Sequence, residues 1–157
     1  MKHLLLGLLQ ILFLLTATSA SFAQQELISD PEIYEKEHFQ KRCKIAQFGA
    51  NFVTRLDINN DGIIDAVVNE GELVCDGLRG PDCTDDGCPY NFYLQVKEGG
   101  YFMIASAKMY GYDFVKRFGN MVFVMQMNPR YCERTDEKPC EITVRVRGTK
   151  FLTISKK

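Results

Sequence analysis

One short segment concentrates the residues that could do chemistry, the oxygen-rich run DINNDGIID at residues 57–65. Its oxygen-bearing side chains stand at positions 1, 3, 5 and 9 of the run and belong to Asp57, Asn59, Asp61 and Asp65. Ca²⁺ is a hard cation that prefers oxygen ligands, and this spacing curls short side chains around one point. The run therefore predicts a calcium site.

Three further features of the run bear on that prediction. Gly62 at position 6 permits a sharp turn, and the carbonyl of Ile63 can face the ion at position 7. Three carboxylates within one turn also repel each other unless a positive charge lies among them. We expect Ile63 and Ile64 to lead the chain back into the core. The alternative is an ordinary Asp/Asn/Gly turn between two strands that holds no ion.

The far end of the run differs from an EF-hand. Val68 stands at position 12, where an EF-hand has a bidentate Glu, and the flanking residues look like strands. The run thus resembles the strand–loop–strand calcium loops of integrin-type propeller repeats, in which position 9 supplies the last loop carboxylate. We expect a dissociation constant of roughly 10⁻⁴–10⁻³ M, unless Glu70, Glu72 or Asp76 folds back onto the ion.

A second acidic loop, DCTDDGC, covers residues 82–88. Closed by a disulfide, it could lend Asp85 or Asp86 to an ion. The interpretation that we favour is a solvated disulfide loop, because acidic side chains are mostly exposed.

The start of the chain has the pattern of a secretory signal peptide at residues 1–23. A short positive segment precedes an apolar run that begins at Leu4 and ends at Leu15, and a small-x-small cleavage pattern ends at Ala23. A transmembrane anchor is the alternative, but this run is too short for one. We expect cleavage near Ala23, no later membrane span, and a periplasmic or secreted protein made of one disulfide-stapled domain at residues 24–157.

The cysteines support export. All six follow the predicted signal peptide, and they are Cys43, Cys75, Cys83, Cys88, Cys132 and Cys140. An even number in an exported chain indicates disulfides, and these spacings fit no zinc knuckle. Cys132 and Cys140 bracket a polar loop, so a bond between them would clamp that loop at its base. We also expect bonds between Cys83 and Cys88 and between Cys43 and Cys75, although the sequence leaves other pairings open.

One helix is predicted near the start of the mature chain. Asp30 and Pro31 form a typical helix start, with Asp as the N-cap. A loose apolar stripe then extends the predicted helix to about residue 46. Its members are Ile33, Tyr34, Phe39, Cys43 and Ile45.

Short β-like runs separated by turn residues make up the rest of the chain. They cover residues 52–56, 63–69, 90–96, 101–107, 120–126, 142–146 and 151–154. The run EITVRVR alternates in polarity, which predicts a strand with one solvated face. No helical pattern alternates with the strands, so the predicted fold class is α+β, mainly β, an antiparallel sheet domain with one N-terminal helix.

Composition excludes several classes of function. The 19 basic and 20 acidic residues are interspersed, which argues against nucleic-acid binding, because that needs a concentrated basic face. His38 is the one histidine of the predicted mature chain and is expected to be an exposed helix residue, so a Ser-His-Asp or Cys-His site is hard to build. Pairs of carboxylates remain possible, because acidic residues are plentiful.

The order of these features resembles a group of small exported proteobacterial proteins. Their pattern is D-x-N-G-D-G-x-x-D, C-x-G, C-G-x-x-G-C and a late paired Cys, and here DINNDGIIDAVV, VCDG, CTDDGC and C-x7-C follow in that order within residues 43–151. Asn60 replaces the usual Gly, and Thr84 stands where Gly often follows the Cys. Neither change removes a ligand or a cysteine. The resemblance implies export, disulfides and a metal loop, and it implies no particular activity.

Two functional hypotheses follow. The first is a non-enzymatic binding protein of the cell envelope with a structural calcium loop, whose partner is another exported protein or an envelope component. An inhibitor or accessory of an envelope enzyme would belong to this class. The second is a small hydrolase that acts on envelope glycans through two carboxylates, which would face each other across a groove at roughly 5–9 Å.

Overall fold

The computed structural model describes residues 26–157, and the predicted signal peptide at residues 1–23 lies outside them. The described chain is mainly antiparallel β structure with one α-helix, as the sequence predicts. Its elements are α1 (Pro31–Arg42), β1 (Ala46–Phe48), β2 (Val53–Leu56), β3 (Asp65–Asn69), β4 (Leu73–Cys75), β5 (Leu78–Arg79), β6 (Cys88–Gln95), β7 (Tyr101–Met109), β8 (Gly111–Arg117), β9 (Asn120–Met127), β10 (Cys140–Arg147) and β11 (Lys150–Lys156). Two short 3₁₀ turns lie at Glu70–Glu72 and Pro129–Cys132.

The strands form three antiparallel sheets. The first large sheet has the order β2-β3-β6-β7, and the second has the order β11-β10-β9-β8. A small sheet has the order β1-β4-β5. Each pairing between named strands is antiparallel, so hairpins and short loops connect most neighbours.

The main core lies between the two large sheets. Phe92 of β6 contacts Phe123 of β9 edge-on, with ring centroids 5.4 Å apart, and it contacts Phe151 of β11 at 5.1 Å. Both Phe92 and Phe123 are fully buried. Burying large aromatic side chains at this interface contributes much of the stabilising apolar area.

A second core covers the opposite face of the first large sheet. Phe39 of α1 and Phe52 pack there with Ala66, Val68 and other buried side chains. Val67, in contrast, faces the main core. Because β3 is buried on both faces, its sequence DAVVN shows little alternation of polarity.

The helix begins as predicted and ends earlier. The Asp30 carboxylate accepts hydrogen bonds from the backbone N–H groups of Glu32 and Ile33, at 2.8 and 3.2 Å, which caps the first turn. The helix ends at Arg42 rather than near residue 46, because Cys43 is extended and is bonded to Cys75.

The predicted apolar stripe of the helix was wrong for three of its five members. Ile33, Tyr34 and Ile45 are half exposed or more, whereas Phe39 and Cys43 are buried. The helix instead buries Glu35, which is 5 % exposed. The reason is that Asn91 and Tyr93, on the sheet beneath the helix, donate hydrogen bonds to Glu35.

The alternating strand is confirmed, and one long strand was missed. Ile142, Val144 and Val146 of β10 are buried, as the alternation predicts. The unpredicted strand is β8, in which Tyr112 and Phe114 pack against the main core on either side of the exposed Asp113, an alternation that the sequence analysis overlooked. Tertiary pairing with β9 decides its conformation.

All six cysteines are paired in the structure, in the pairings that the sequence analysis favoured. The bonds join Cys43 to Cys75, Cys83 to Cys88 and Cys132 to Cys140. Within residues 26–157, no helix is long and apolar enough to cross a membrane.

Candidate functional site

The acidic run forms a compact loop between β2 and β3. Asp57 accepts hydrogen bonds from the backbone N–H groups of Asp61 (3.0 Å) and Gly62 (2.9 Å). Asn59 also accepts from the Asp61 N–H at 3.2 Å, and its amide donates to the Asp61 carboxylate at 2.9 Å. The Asp61 carboxylate accepts from the N–H of Ile63 at 2.8 Å. The side chains at positions 1, 3 and 5 are therefore brought together by the turn itself.

Asp65 occupies a different environment from the other acids of the loop. It is fully buried, and its two carboxylate oxygens accept hydrogen bonds from the N–H groups of Ile58 and Gln95, both at 2.8 Å. These bonds join the start of the loop, its end and the end of β6. Burial raises the pKa of Asp65 to about 6, and the nearby carboxylates of Asp61 and Asp57 add to the rise.

Asn60 fixes the loop to the second large sheet. Its side-chain oxygen accepts a hydrogen bond from the N–H of Met121 at 2.8 Å, and its amide donates to the Met121 carbonyl at 3.3 Å. Asn60 has φ 62°, in the left-handed region that Asn tolerates better than most residues. Glycine at this position could adopt the same backbone conformation but could not bond to β9.

The apolar residues of the loop do not behave as the sequence analysis expected. Ile64 is 51 % exposed and Ile63 is half buried, so the expectation that this pair enters the core was wrong. Ile58, at position 2, is the residue that is fully buried in the main core. The apolar side chain that enters the core therefore comes from the start of the loop. The paired strand β3 begins only at Asp65, after Ile63 and Ile64.

The described loop offers a hard cation part of the predicted ligand set at most. Within residues 26–157, no group of three or more His, Cys, Asp or Glu side chains could hold a metal ion. The fit therefore depends on the carboxylates of Asp57 and Asp61, the side-chain oxygen of Asn59 and the carbonyl of Ile63. Oxygens that accept one N–H bond keep a second lone pair for a cation. A fourth side-chain ligand at Asp65 stays a prediction.

The second acidic loop makes ion pairs with basic side chains. Asp82 pairs with Arg42 of α1, at 2.5 and 2.7 Å, and Asp86 pairs with Arg130. The backbone carbonyl of Asp85 accepts a hydrogen bond from the Tyr110 hydroxyl at 2.6 Å. The hydrogen bond from Arg42 holds the pKa of Asp82 below its usual value.

A second polar site, which the sequence analysis did not identify, lies between α1 and the first large sheet. The side-chain amide of Asn91 donates to Glu35 at 3.0 Å and to Glu70 at 2.9 Å. The hydroxyl of Tyr93 donates to the same oxygen of Glu35 at 2.5 Å. Glu35, Asn91 and Tyr93 are each less than a tenth exposed. We call these four residues the Glu35 cluster.

The four residues of the Glu35 cluster line an open cavity of about 280 Å³. His38, Arg42 and Met103 are among the other residues that line it. His38 is exposed, as the sequence predicts. Burial raises the pKa of Glu70, and burial together with the hydrogen bond to Glu35 raises that of Tyr93. The cavity thus combines two carboxylates with a neutral phenol.

The sequence contains little signal for this cluster. Its hydrogen bonds join residues 21 to 58 positions apart. The one indication of a polar site was the presence of Asn91 and Tyr93 in the largely apolar strand PYNFYL. In the structure these two side chains face the helix, whereas Phe92 faces the main core.

Comparison with known proteins identified no relative of this chain. No family model, curated protein or solved structure matches the chain.

Proposed function

We propose that the chain is an exported, non-enzymatic binding protein of the cell envelope whose loop at residues 57–65 holds a calcium ion as a structural clip. The observation that carries the proposal is the anchoring of this loop at two points. Asp65 ties it to β6 of the first large sheet, and Asn60 ties it to β9 of the second. An ion among the remaining oxygens would stabilise the junction of both sheets.

The electrostatics of the loop support a cation. Asp57 and Asp61 come together through bonds to the same turn, and both carboxylates add to the raised pKa of the buried Asp65. A divalent cation would offset that repulsion. With few side-chain ligands and no bidentate Glu, the affinity expected is that of extracellular modules, roughly 10⁻⁴–10⁻³ M.

The predicted signal peptide and the three disulfides support a location outside the cytoplasm. Three disulfides in a small domain are typical of periplasmic or secreted proteins. The partner that we propose is therefore another exported protein or an envelope component.

Calcium titration of the oxidised protein lacking residues 1–23, by calorimetry and thermal melting, tests the clip. We expect saturable binding, and at a concentration ten times the dissociation constant a stabilisation of about 1.4 kcal/mol. The matched variant is Asp57→Asn with Asp61→Asn, which keeps one acceptor oxygen at each position and removes two charges. It should fold and lose both the heat and the shift, whereas exposed Asp113→Asn should keep both. No heat and no shift at millimolar calcium would refute the site.

The second candidate function is a hydrolase of envelope glycans, and the Glu35 cluster is the observation that favours it. Glu35 and Glu70 bond to the same amide nitrogen, so the separation of their bonded oxygens cannot exceed the sum of 3.0 and 2.9 Å. Retaining glycosidases place their two carboxyl groups roughly 5–5.5 Å apart. Glu70, whose pKa is raised by burial, would be the general acid, and Glu35 would be the nucleophile.

Turbidity assays on purified cell-wall glycan test this candidate. Clearance by the wild type that is lost in both Glu35→Gln and Glu70→Gln, with melting curves intact, would support hydrolysis. Absence of clearance over a broad pH range, or clearance by both variants equal to that of the wild type, would leave the binding protein as the function.

A further inference from the structure

The turn between β8 and β9 carries an exposed aromatic residue that does not pack into either core. Phe118 is 100 % exposed, and its ring stacks on no other aromatic ring of residues 26–157. Its φ is 48°, and that of Gly119 is 81°, so both central residues of this two-residue hairpin turn are left-handed. Such turns favour Asn-Gly, and a bulky residue at the first position is strained.

Three other non-glycine residues of the described chain are left-handed, and one of them, Glu133, ends the 3₁₀ turn at Pro129–Cys132. Asn60 bonds to Met121, and the Asp76 carboxylate accepts a hydrogen bond from the N–H of Ile45 at 2.8 Å. Both are residue types that tolerate this conformation. Phe118 is not such a type, and its fully exposed side chain gains no burial within the described chain. The ring therefore does not stabilise the fold, and a role in binding would account for it.

Four basic residues lie at the same end of the sheet as the exposed ring. Arg117 pairs with Asn120 beside the turn, and Arg147 pairs with Lys150 beside the next turn of the same sheet. Because β9 and β10 are antiparallel, both turns leave the sheet at one end. Lys116 completes the set, and all four cations are exposed. We call Phe118 with these four cations the basic tip.

The cations of the basic tip have no ion-pair partner among residues 26–157. Five other arginines do pair with carboxylates: Arg42, Arg55, Arg79, Arg130 and Arg134. The chain as a whole is nearly neutral, with a formal charge of −1. The basic tip is thus a local excess of positive charge that can attract an anionic surface.

We propose that the basic tip docks this protein onto an anionic lipid surface, with the Phe118 ring inserted at the headgroup level. A single, fully exposed ring suits a fluid layer, which closes around it, whereas a protein partner would need a matching pocket. The cations of the basic tip would then lie beside the lipid phosphates. The neighbouring Asp57 and Asp61 oppose this attraction, and the proposal does not require the calcium site.

Vesicle sedimentation tests the docking, with phosphatidylcholine vesicles that either lack or contain phosphatidylglycerol, in EDTA and in millimolar calcium. We expect partition onto the anionic vesicles and little onto the neutral ones. Phe118→Asn should lower the partition coefficient about ten-fold or more. The same variant should raise the melting temperature, because Asn fits the left-handed position better than Phe. Leu78→Ser, which removes an exposed apolar residue of the small sheet, should change neither.

Charge and insertion have separate readouts. Arg117→Gln with Arg147→Gln should lower partition about ten-fold or more, whereas the paired Arg79→Gln with Arg134→Gln should not. The chain contains no Trp, so Phe118→Trp places a single fluorophore at the tip. We expect its emission to shift to shorter wavelength on anionic vesicles.

Three results would overturn the proposal. They are an unshifted emission of the Phe118→Trp variant on anionic vesicles, equal partition of the wild type and Phe118→Asn, and salt-sensitive binding to polyglutamate without binding to vesicles. The last would identify an acidic protein surface as the partner.

Discussion

The loop at residues 57–65 and the Glu35 cluster are two acidic sites that the fold builds in opposite ways. In the loop, the side chains of Asp57, Asn59 and Asp61 bond to backbone groups no more than five positions away. In the Glu35 cluster, the nearest bonded partners are 21 positions apart. The loop gains its shape from local turns, and the cluster exists only when the helix packs on the sheet.

Substitutions in the two sites should therefore affect different properties. Within the loop, Asp65 and Asn60 depend on tertiary structure, since they bond to β6 and β9, and Asp65 is also fully buried. Within the cluster, every member does. Removing Asp57 or Asp61 should therefore cost binding, and removing Asp65 or Glu35 should cost folding.

The largest expected effect is that of Asp65→Ala, measured by urea unfolding in EDTA. The substitution leaves two N–H groups without acceptors, and each unsatisfied buried donor costs about 1–3 kcal/mol. We expect a loss of about 2–4 kcal/mol at pH 5. The loss should be smaller at pH 7, because the folded pKa of about 6 exceeds the usual value of 3.8 and ionised Asp65 already lowers stability there.

Asp113→Ala is the matched control, because Asp113 is exposed and has no ion pair within the described chain. Its stability should change by less than about 0.5 kcal/mol. Equal losses for Asp65→Ala and Asp113→Ala would show that the buried anchor contributes nothing.

A somewhat smaller effect is expected of Glu35→Ala. Asn91 and Tyr93 would lose the acceptor that they share, at a cost of about 1–3 kcal/mol in the free energy of unfolding. Glu35→Gln keeps an oxygen acceptor and should cost less. The control is Glu37→Ala, on the exposed side of the same helix, and a cost there as large as at Glu35 would contradict the cluster.

The smallest expected effect is a gain from Glu70→Gln. Burial raises the pKa of Glu70 above 4.5, so its stabilising contribution is present below that pH and is lost as the pH rises through the folded pKa. A neutral Gln still accepts from Asn91, and we expect it to stabilise the protein by up to about 1 kcal/mol at pH 7. The gain should shrink towards pH 4, and exposed Glu98→Gln should show no such trend.

The sequence predicted those features that depend on short spacing. The Asp30 cap, the alternation in β10 and the convergence of Asp57, Asn59 and Asp61 all involve residues within a few positions of each other. The bond between Cys132 and Cys140 was predicted in the same way, from a loop closed at its base.

Only the tertiary structure decided the burial of polar side chains. Glu35 looks like an ordinary surface acid in the sequence and Asp65 like a loop ligand, yet both are buried because donors on distant strands compensate their burial. Likewise, the full exposure of Phe118 follows from its place at the end of a sheet and not from its residue type. Short spacing determines which groups can meet in a turn, whereas burial depends on which strands and helices pack together, and that depends on the whole chain.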